Sequence, residues 1–235
     1  VTERNTSHYT ITDYGKIYGF SSISSYDDFR RNVPIVTYED FEPYIEKARQ
    51  GKPDVFWPGY IRKFAKSSGT TNAKSKFIPI SEESLADCHF KAGKDLVSIY
   101  ANNHPDNALF LNKNLRLGGS SELYKNYNTK FGDLSAIMIE NLPFWVEITT
   151  TPSKKISLMS EWESKLKAII SEVKNEDVGS LTGVPSWMMV LLQRVLAETG
   201  NKSISELWPN LEVFFHGGIS FKPYKEQYRK IIGKD

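Results

Sequence analysis

The chain has 235 residues, with 30 Lys+Arg against 28 Asp+Glu, four His and a formal net charge of +2; hydrophobic residues make up 40%, charged residues 25% and aromatics 13%. Hydrophobicity of this order with a near-balanced charge excludes disorder over most of the length, and it argues against a protein whose main task is holding nucleic acid. No run of about 18 apolar residues occurs that could cross a membrane, the most apolar segment, 184–197, being interrupted by Gln193 and Arg194.

The N-terminus, Val-Thr-Glu-Arg-Asn, lacks the apolar core of a signal peptide. One cysteine, Cys88, cannot close an intrachain disulfide or build a multi-cysteine metal site, which fits a reducing, cytoplasmic setting. Gly and Pro are evenly spread and no repeat of 20–50 residues is visible, so the chain reads as one domain or part of one. The first residue is Val rather than Met, and the last residues stop just after a helical pattern. Both ends are therefore expected to be cut.

In chain order, short apolar runs of strand character fall at 54–57, 60–65 and 76–80. A helix is expected from Ser81, with Leu85, Cys88, Ala92, Leu96 and Ile99 at three- and four-residue spacing, ending at Asn102-Asn103-His104-Pro105. Further strands are expected at 108–111 and 134–139. Ser160-Glu161-Trp162-Glu163 has the capping-box form, ahead of Leu166, Ile169, Ile170 and Val173 on one face. Pro185 suits a first helical turn, residues 187–197 are apolar nearly all round, and Gly200 is a natural C-cap. A last strand at 211–215 precedes a helix bracketed by Ser220 and Gly233. Strands interleaved with helices predict an α/β architecture.

The segment with most chemistry is Lys66-Ser67-Ser68-Gly69-Thr70-Thr71-Asn72-Ala73-Lys74-Ser75-Lys76. Hydroxyls and bare backbone N–H groups donate to phosphate oxygens, glycine lets the backbone approach, and lysine supplies mobile charge. Between Lys52 and Lys76 there are six basic residues (Lys52, Arg62, Lys63, Lys66, Lys74, Lys76) against one acid, Asp54, a field suited to a polyphosphate. It is not the loop of P-loop ATPases, because Lys74 stands where a second glycine is needed and the context is strand–loop–strand. The plain alternative is a surface hairpin whose Ser, Thr, Gly and Asn merely turn the chain.

Other polar groups are weaker. Asp87, Cys88 and His89 are adjacent, so on a helix they point apart and do not converge on a metal. No cluster has zinc spacing, and no metal-ligating set is assigned. Trp187, Met188, Met189, Trp57, Phe144 and Trp145 read as core in preference to an acyl pocket, and His216 reads as structural.

Ser67-Ser68-Gly69-Thr70-Thr71 with a downstream lysine resembles the phosphate loop of the adenylate-forming ligases, which activate carboxylates as acyl-AMP. Gly183-Val184-Pro185 opening an apolar helix, and 211–220 ending in Gly217-Gly218, are similar to two further stretches of that superfamily, in the same order. Three phrases resemble one branch of it, the auxin-responsive Gretchen Hagen family of acyl-acid amido synthetases, in a bacterial layout. They are Tyr14-Gly-Lys-Ile-Tyr-Gly-Phe20, Val33-Pro-Ile-Val-Thr-Tyr-Glu-Asp40 and Leu207-Trp208-Pro209-Asn210.

The resemblance implies a fold, α/β with mixed sheets packed by helices, forming part of the large N-terminal domain of an adenylate-forming enzyme. It implies that Ser67, Ser68, Gly69, Thr70 and Thr71 hold the β- and γ-phosphates of ATP with Lys74 nearby, and that Gly217 and Gly218 lie against the adenine or acyl group. ATP and Mg²⁺ are the implied cofactors, an acyl acid and an amino acid the implied partners. One departure is Ala73, where many members carry Gly. The family's Tyr-x-x-Ser-Glu stretch, its Tyr-Arg-x-Gly-Asp-like stretch and its small C-terminal domain do not occur before Asp235. Residues 1–235 are thus expected to be an incomplete N-terminal adenylation domain, the C-terminal half being a missing part of the same protein, and catalytic residues are left unassigned. An AMP-forming acyl-CoA ligase is the alternative within the superfamily; a non-catalytic nucleotide-binding module is the alternative outside it.

Overall fold

The computed structural model describes residues 8–67, 75–118, 123–126 and 128–234. Strands run in chain order β1 (Lys63–Lys66), β2 (Phe77–Ile80), β3 (Lys113–Leu117), β4 (Tyr124–Asn126), β5 (Thr129–Gly132), β6 (Thr150–Thr151), β7 (Val178–Gly183) and β8 (Val213–His216). The helices are α1 (Asp13–Ile17), α2 (Tyr26–Asn32), α3 (Tyr38–Arg49), α4 (Lys91–Asn103), α5 (Leu134–Glu140), α6 (Phe144–Ile148), α7 (Lys154–Ser157), α8 (Trp162–Val173), α9 (Pro185–Thr199), α10 (Ile204–Leu207) and α11 (Lys225–Ile232). The chain divides into two compact units, residues 1–86 with 123–134, and residues 87–122 with 135–235.

The first unit carries a mixed sheet in the order β2-β1-β5-β4, with β1 antiparallel to β2 and parallel to β5. Its core is Ile45, Ala48, Val55, Ile61 and Phe64, closed by the aromatic side chains of Tyr38, Phe41, Tyr44 and Phe77. Helix α3 starts at a reciprocal capping box: Thr37 accepts from the Asp40 N–H, and Asp40 accepts from the Thr37 N–H. Its residues 41, 44, 45 and 48 then repeat at helical spacing, which turns one stripe inward. The phrase at 33–40 is therefore the start signal of this helix, and the Tyr14 phrase seats an aromatic ring among Tyr18, Phe20, Phe41 and Tyr44.

The second unit holds an all-parallel sheet, β6-β3-β7-β8. Leu115, Leu117 and Leu181 point to one face, where Leu166, Ile169 and Val173 of α8 and Met188, Leu191, Leu192 and Val195 of α9 close the core. Trp208 is wholly buried in the same cluster, while Asn210 donates to the Asp177 carboxylate at 2.8 Å. The Leu-Trp-Pro-Asn phrase thus fixes how the chain approaches β8 relative to β7.

Several expectations are corrected. Residues 54–57 form no strand: Val55 plugs the core while the carbonyls of Asp54 and Val55 accept from Asp13 and Tyr14 at the start of α1. Residues 108–111 are a turn, with Phe110 and Leu111 exposed. Residues 134–139 are helix α5 and not a strand, with Ala136, Ile137 and Ile139 buried; a short apolar run does not tell the two apart by periodicity. The helix expected from Ser81 exists but opens as a π-helical turn over Ser84–Phe90. Glu161, not Ser160, caps α8. The last helix begins with a 3₁₀ turn at Lys222–Tyr224 and carries no side-chain cap from Ser220. Met188 and Met189 are core as expected, but Trp187, Phe144 and Trp145 are more than half exposed.

Candidate nucleotide and acyl-acid site

Of the sequence-predicted phosphate loop, Ser67 is described; Ser68, Gly69, Thr70, Thr71 and Lys74 lie outside the described residues. What the structure defines is the neck from which that loop springs. Strands β1 and β2 pair as a hairpin up to Lys66↔Phe77. Beyond it the Ser67 N–H donates to the Lys76 carbonyl at 2.9 Å, and the Lys76 N–H donates to Ser67 Oγ at 3.1 Å. Ser67 Oγ spends an acceptor lone pair here and keeps its O–H as a donor.

The neck is anchored from α3. Tyr38 Oη accepts from the Phe77 N–H at 2.8 Å, and Glu39 pairs with Lys76 Nζ at 3.0 Å. The Lys76 ammonium also stands over the Tyr38 ring, 4.7 Å from its centroid. The Glu39 carboxyl is held below the usual carboxylate range, first by its own backbone N–H and then by Lys76. One flank of the loop is thereby fixed by a helix start.

In the second unit, the register sets Leu117, Gly183 and His216 side by side at the carboxyl ends of β3, β7 and β8. Carboxyl ends of parallel strands are where ligands of such sheets bind, because the following loops splay apart there. Gly183 is closely packed: a Cβ on it would stand 3.0 Å from the Leu117 carbonyl and 3.4 Å from Met188 Cε, so its neighbours would have to give way by a few tenths of an ångström. Pro185 occupies the first position of α9, whose apolar body buries Met188, Met189, Leu191, Leu192 and Val195. The turn into α9 is pinned by Tyr228, whose hydroxyl donates to the Pro185 carbonyl at 2.8 Å.

After His216 come the two predicted glycines, both exposed. Gly218 has φ +82°, a left-handed conformation that side chains resist. Gly217 does not, and a Cβ there would meet nothing within 4 Å. No packing reason keeps it a glycine. His216 stacks on Phe221 with centroids 4.6 Å apart, a structural role in agreement with the sequence reading. Asp87, Cys88 and His89 do not converge, and among the described residues no group of three or more His, Cys, Asp or Glu could hold a metal ion. Sequence reasoning missed the polar face of β3 and β7, where Asn114 Nδ2 donates to Ser180 Oγ at 2.9 Å and to Thr182 Oγ1 at 3.0 Å, beside Arg116. The alternation of Leu115 and Leu117 with Asn114 and Arg116 is the signal that would have found it.

The model of the GH3 family N-terminal domain matches residues 6–235. A jasmonoyl–L-amino acid synthetase of Nicotiana attenuata, JAR6, is 37% identical over 73 residues, 31% of this chain and 13% of that protein. The indole-3-acetic acid-amido synthetase GH3.15 of Arabidopsis thaliana is 41% identical over 59 residues, 25% of this chain and 10% of that one. Among solved structures, the GH3.15 acyl acid amido synthetase in complex with 2,4-DB superposes with a TM-score of 0.78 at 17% identity, over 99% of this chain and 50% of that one. The chain spans about half the length of the solved structures it matches. Among the described residues no helix is long and apolar enough to cross a membrane.

Proposed function

The chain belongs to the GH3 family, and from that premise we propose that the protein it forms part of is an ATP-dependent acyl-acid amido synthetase. In the first step a carboxylate oxygen of the acyl acid attacks the α-phosphorus of ATP, the bond to the β-phosphate breaks, and pyrophosphate leaves. In the second step the amine of an amino acid attacks the acyl carbon, AMP departs with the bonding pair, and the nitrogen loses a proton.

The residues proposed for this are those named from the sequence. Ser67, Ser68, Gly69, Thr70 and Thr71, with Lys74, hold the β- and γ-phosphates and take up the charge that builds on pyrophosphate as it leaves. Gly217 and Gly218 lie against the adenine or acyl group. Positioning and charge stabilisation supply the catalysis, since neither step needs a nucleophile from this chain. Magnesium is expected to arrive with ATP. No described cluster of carboxylates offers it a site, so no step is assigned to it. The exposed lone Cys88 suits a reducing cytoplasm.

The observation that carries the reading is Gly217: an open, unencumbered backbone at the carboxyl edge of an all-parallel sheet, in a chain of this family. The test is ATP–pyrophosphate exchange on the full-length protein against a panel of acyl acids, with amide products read by mass spectrometry. Acid-dependent exchange and amide formation, both abolished by Ser68→Ala combined with Thr70→Ala, are expected. Thioester formation with coenzyme A and no amide would overturn the amido-synthetase step; no exchange with any acid would overturn adenylation.

A further inference from the structure

The site above uses the carboxyl ends of the parallel strands; their amino ends carry a cavity of their own. It lies within the second unit and measures about 420 Å³, within the range of roughly 300–1,000 Å³ usual for small-molecule sites. Lys113 opens β3 there, while Thr149 and Asp177 stand just before β6 and β7. The sheet itself ties these residues together: the Lys113 N–H donates to the Asp177 carbonyl at 2.8 Å, and the Asn114 N–H to the Thr149 carbonyl at 2.9 Å. Lys113 and Leu117 are the two ends of β3, roughly 13 Å apart at about 3.3 Å per residue, so this is not the edge where Gly183 and Gly217 lie.

Two kinds of group line the cavity. Phe110, Leu111 and Ile148 give it an apolar wall, although each is more than half exposed. The turn that carries Phe110 and Leu111 is not loose. Leu109 is buried, the Leu111 N–H donates to the Ala108 carbonyl at 2.9 Å, and the Ala108 N–H donates to the Glu212 carboxylate at 3.3 Å. The charged groups are Asp177, already bonded by Asn210, together with Lys113 and Glu176. Those last two carry opposite charges and line one cavity, yet among the described residues they do not pair. Lys113 Nζ donates to the Ile148 carbonyl at 2.6 Å, which leaves an ammonium two further donors. Glu176 Oε2 is shielded from solvent and accepts no hydrogen bond. A carboxylate so placed is costly. Its charge is shared by both oxygens, so a cation seated against the side chain compensates it.

We propose that this cavity binds a free α-amino acid with an apolar side chain. Its ammonium lies against Glu176, its carboxylate against Lys113, and its side chain against Phe110, Leu111 and Ile148. A zwitterion bridges the two charges that the protein leaves apart, whereas a ligand with only one charge leaves the other uncompensated. Bound here the amino acid is a ligand and not a reactant, and the proposal does not rest on the adenylation reading.

Calorimetric titration of L-leucine into the full-length protein without ATP is the test, for wild type, Glu176→Gln and Phe110→Ser, with circular dichroism checking each fold. Glu176→Gln keeps the shape of the side chain and removes its uncompensated charge, so it is expected to fold. Wild type should bind leucine with a Kd below about 10 mM, and each substitution should weaken binding at least about tenfold. In competition, L-leucinamide lacks the carboxylate and 4-methylpentanoate lacks the ammonium. Each should displace leucine at least about tenfold less well than L-methionine, which keeps both charges. No binding up to about 10 mM, binding unchanged in Glu176→Gln, or equal displacement by either single-charge analogue would overturn the proposal. Amide formation on the same samples separates this cavity from the acceptor site of the proposed reaction. The KM for the acceptor amino acid should be the same in wild type and Glu176→Gln; a parallel rise would make the calorimetric leucine the acceptor and overturn the proposal. Glu176-dependent leucine binding in a protein that forms no amide keeps this site and removes the synthetase reading.

Discussion

Gly217 and Gly218 are neighbours with opposite reasons for lacking a side chain. Gly218 is held at φ +82°, so an L side chain there is strained even though its nearest neighbour, Val184 Cγ2, is at an ordinary 3.4 Å. Gly217 has no positive φ and open space where a Cβ would go. Gly218→Ala is therefore expected to lower stability by about 1 kcal/mol. Gly217→Ala should stay within about 0.5 kcal/mol of wild type. Urea unfolding measures both. If a ligand lies against Gly217, the silent substitution in stability is the damaging one in function: pyrophosphate exchange should fall about tenfold or more, because a methyl group there pushes the reacting end out of line. Full exchange by Gly217→Ala would show that nothing approaches that backbone. The sequence displayed the glycine pair plainly, but not which member serves the fold; the torsion angle and the space beside each separate them.

At the scale of elements, legibility followed periodicity. Helices α8 and α9 announced themselves through repeated apolar spacing, Pro185 and Gly200, and they form the core so expected. Of the strands that build the parallel sheet, β8 was expected, at 211–215, whereas β3, β6 and β7 were not. Strand β7 reads Val-Gly-Ser-Leu-Thr-Gly, a weak strand former by composition. It is a strand because β3 and β8 flank it and two helices bury its Leu181, which is tertiary context and not local preference. The β1–β2 hairpin was legible, yet its anchor on α3 was not, since Tyr38 lies 39 residues before Phe77. That anchor is testable. Tyr38→Phe keeps the ring beside Lys76 and removes the oxygen that accepts from the Phe77 N–H, leaving a half-buried donor unpaired at a cost of about 1–2 kcal/mol. The loop flank should loosen. The expected result is a KM for ATP raised several-fold with the KM for the acid unchanged, on the full-length protein. Equal changes in both, or none, would mean that the neck does not position the phosphate loop.

The whole chain divides in a way that even Gly and Pro spacing conceals. It leaves the first unit after residue 86, returns for 123–134, and leaves again, so no single linker exists to be seen. Each unit closes its own hydrophobic cluster, one around Phe64 and the other around Leu181. Local stability follows local burial, and separate cores are expected to open as separate cooperative groups. Phe64→Ala removes a wholly buried ring and should cost about 3–5 kcal/mol in its own unit; Leu181→Ala should cost about 2–5 kcal/mol in the other. Hydrogen exchange then tells them apart. Phe64→Ala should speed exchange in β1, β2, β5 and α3 while β3, β7 and β8 stay protected, and Leu181→Ala should do the opposite. If either substitution accelerates both sheets alike, the two cores unfold together, and the units are divisions of packing without independent stability.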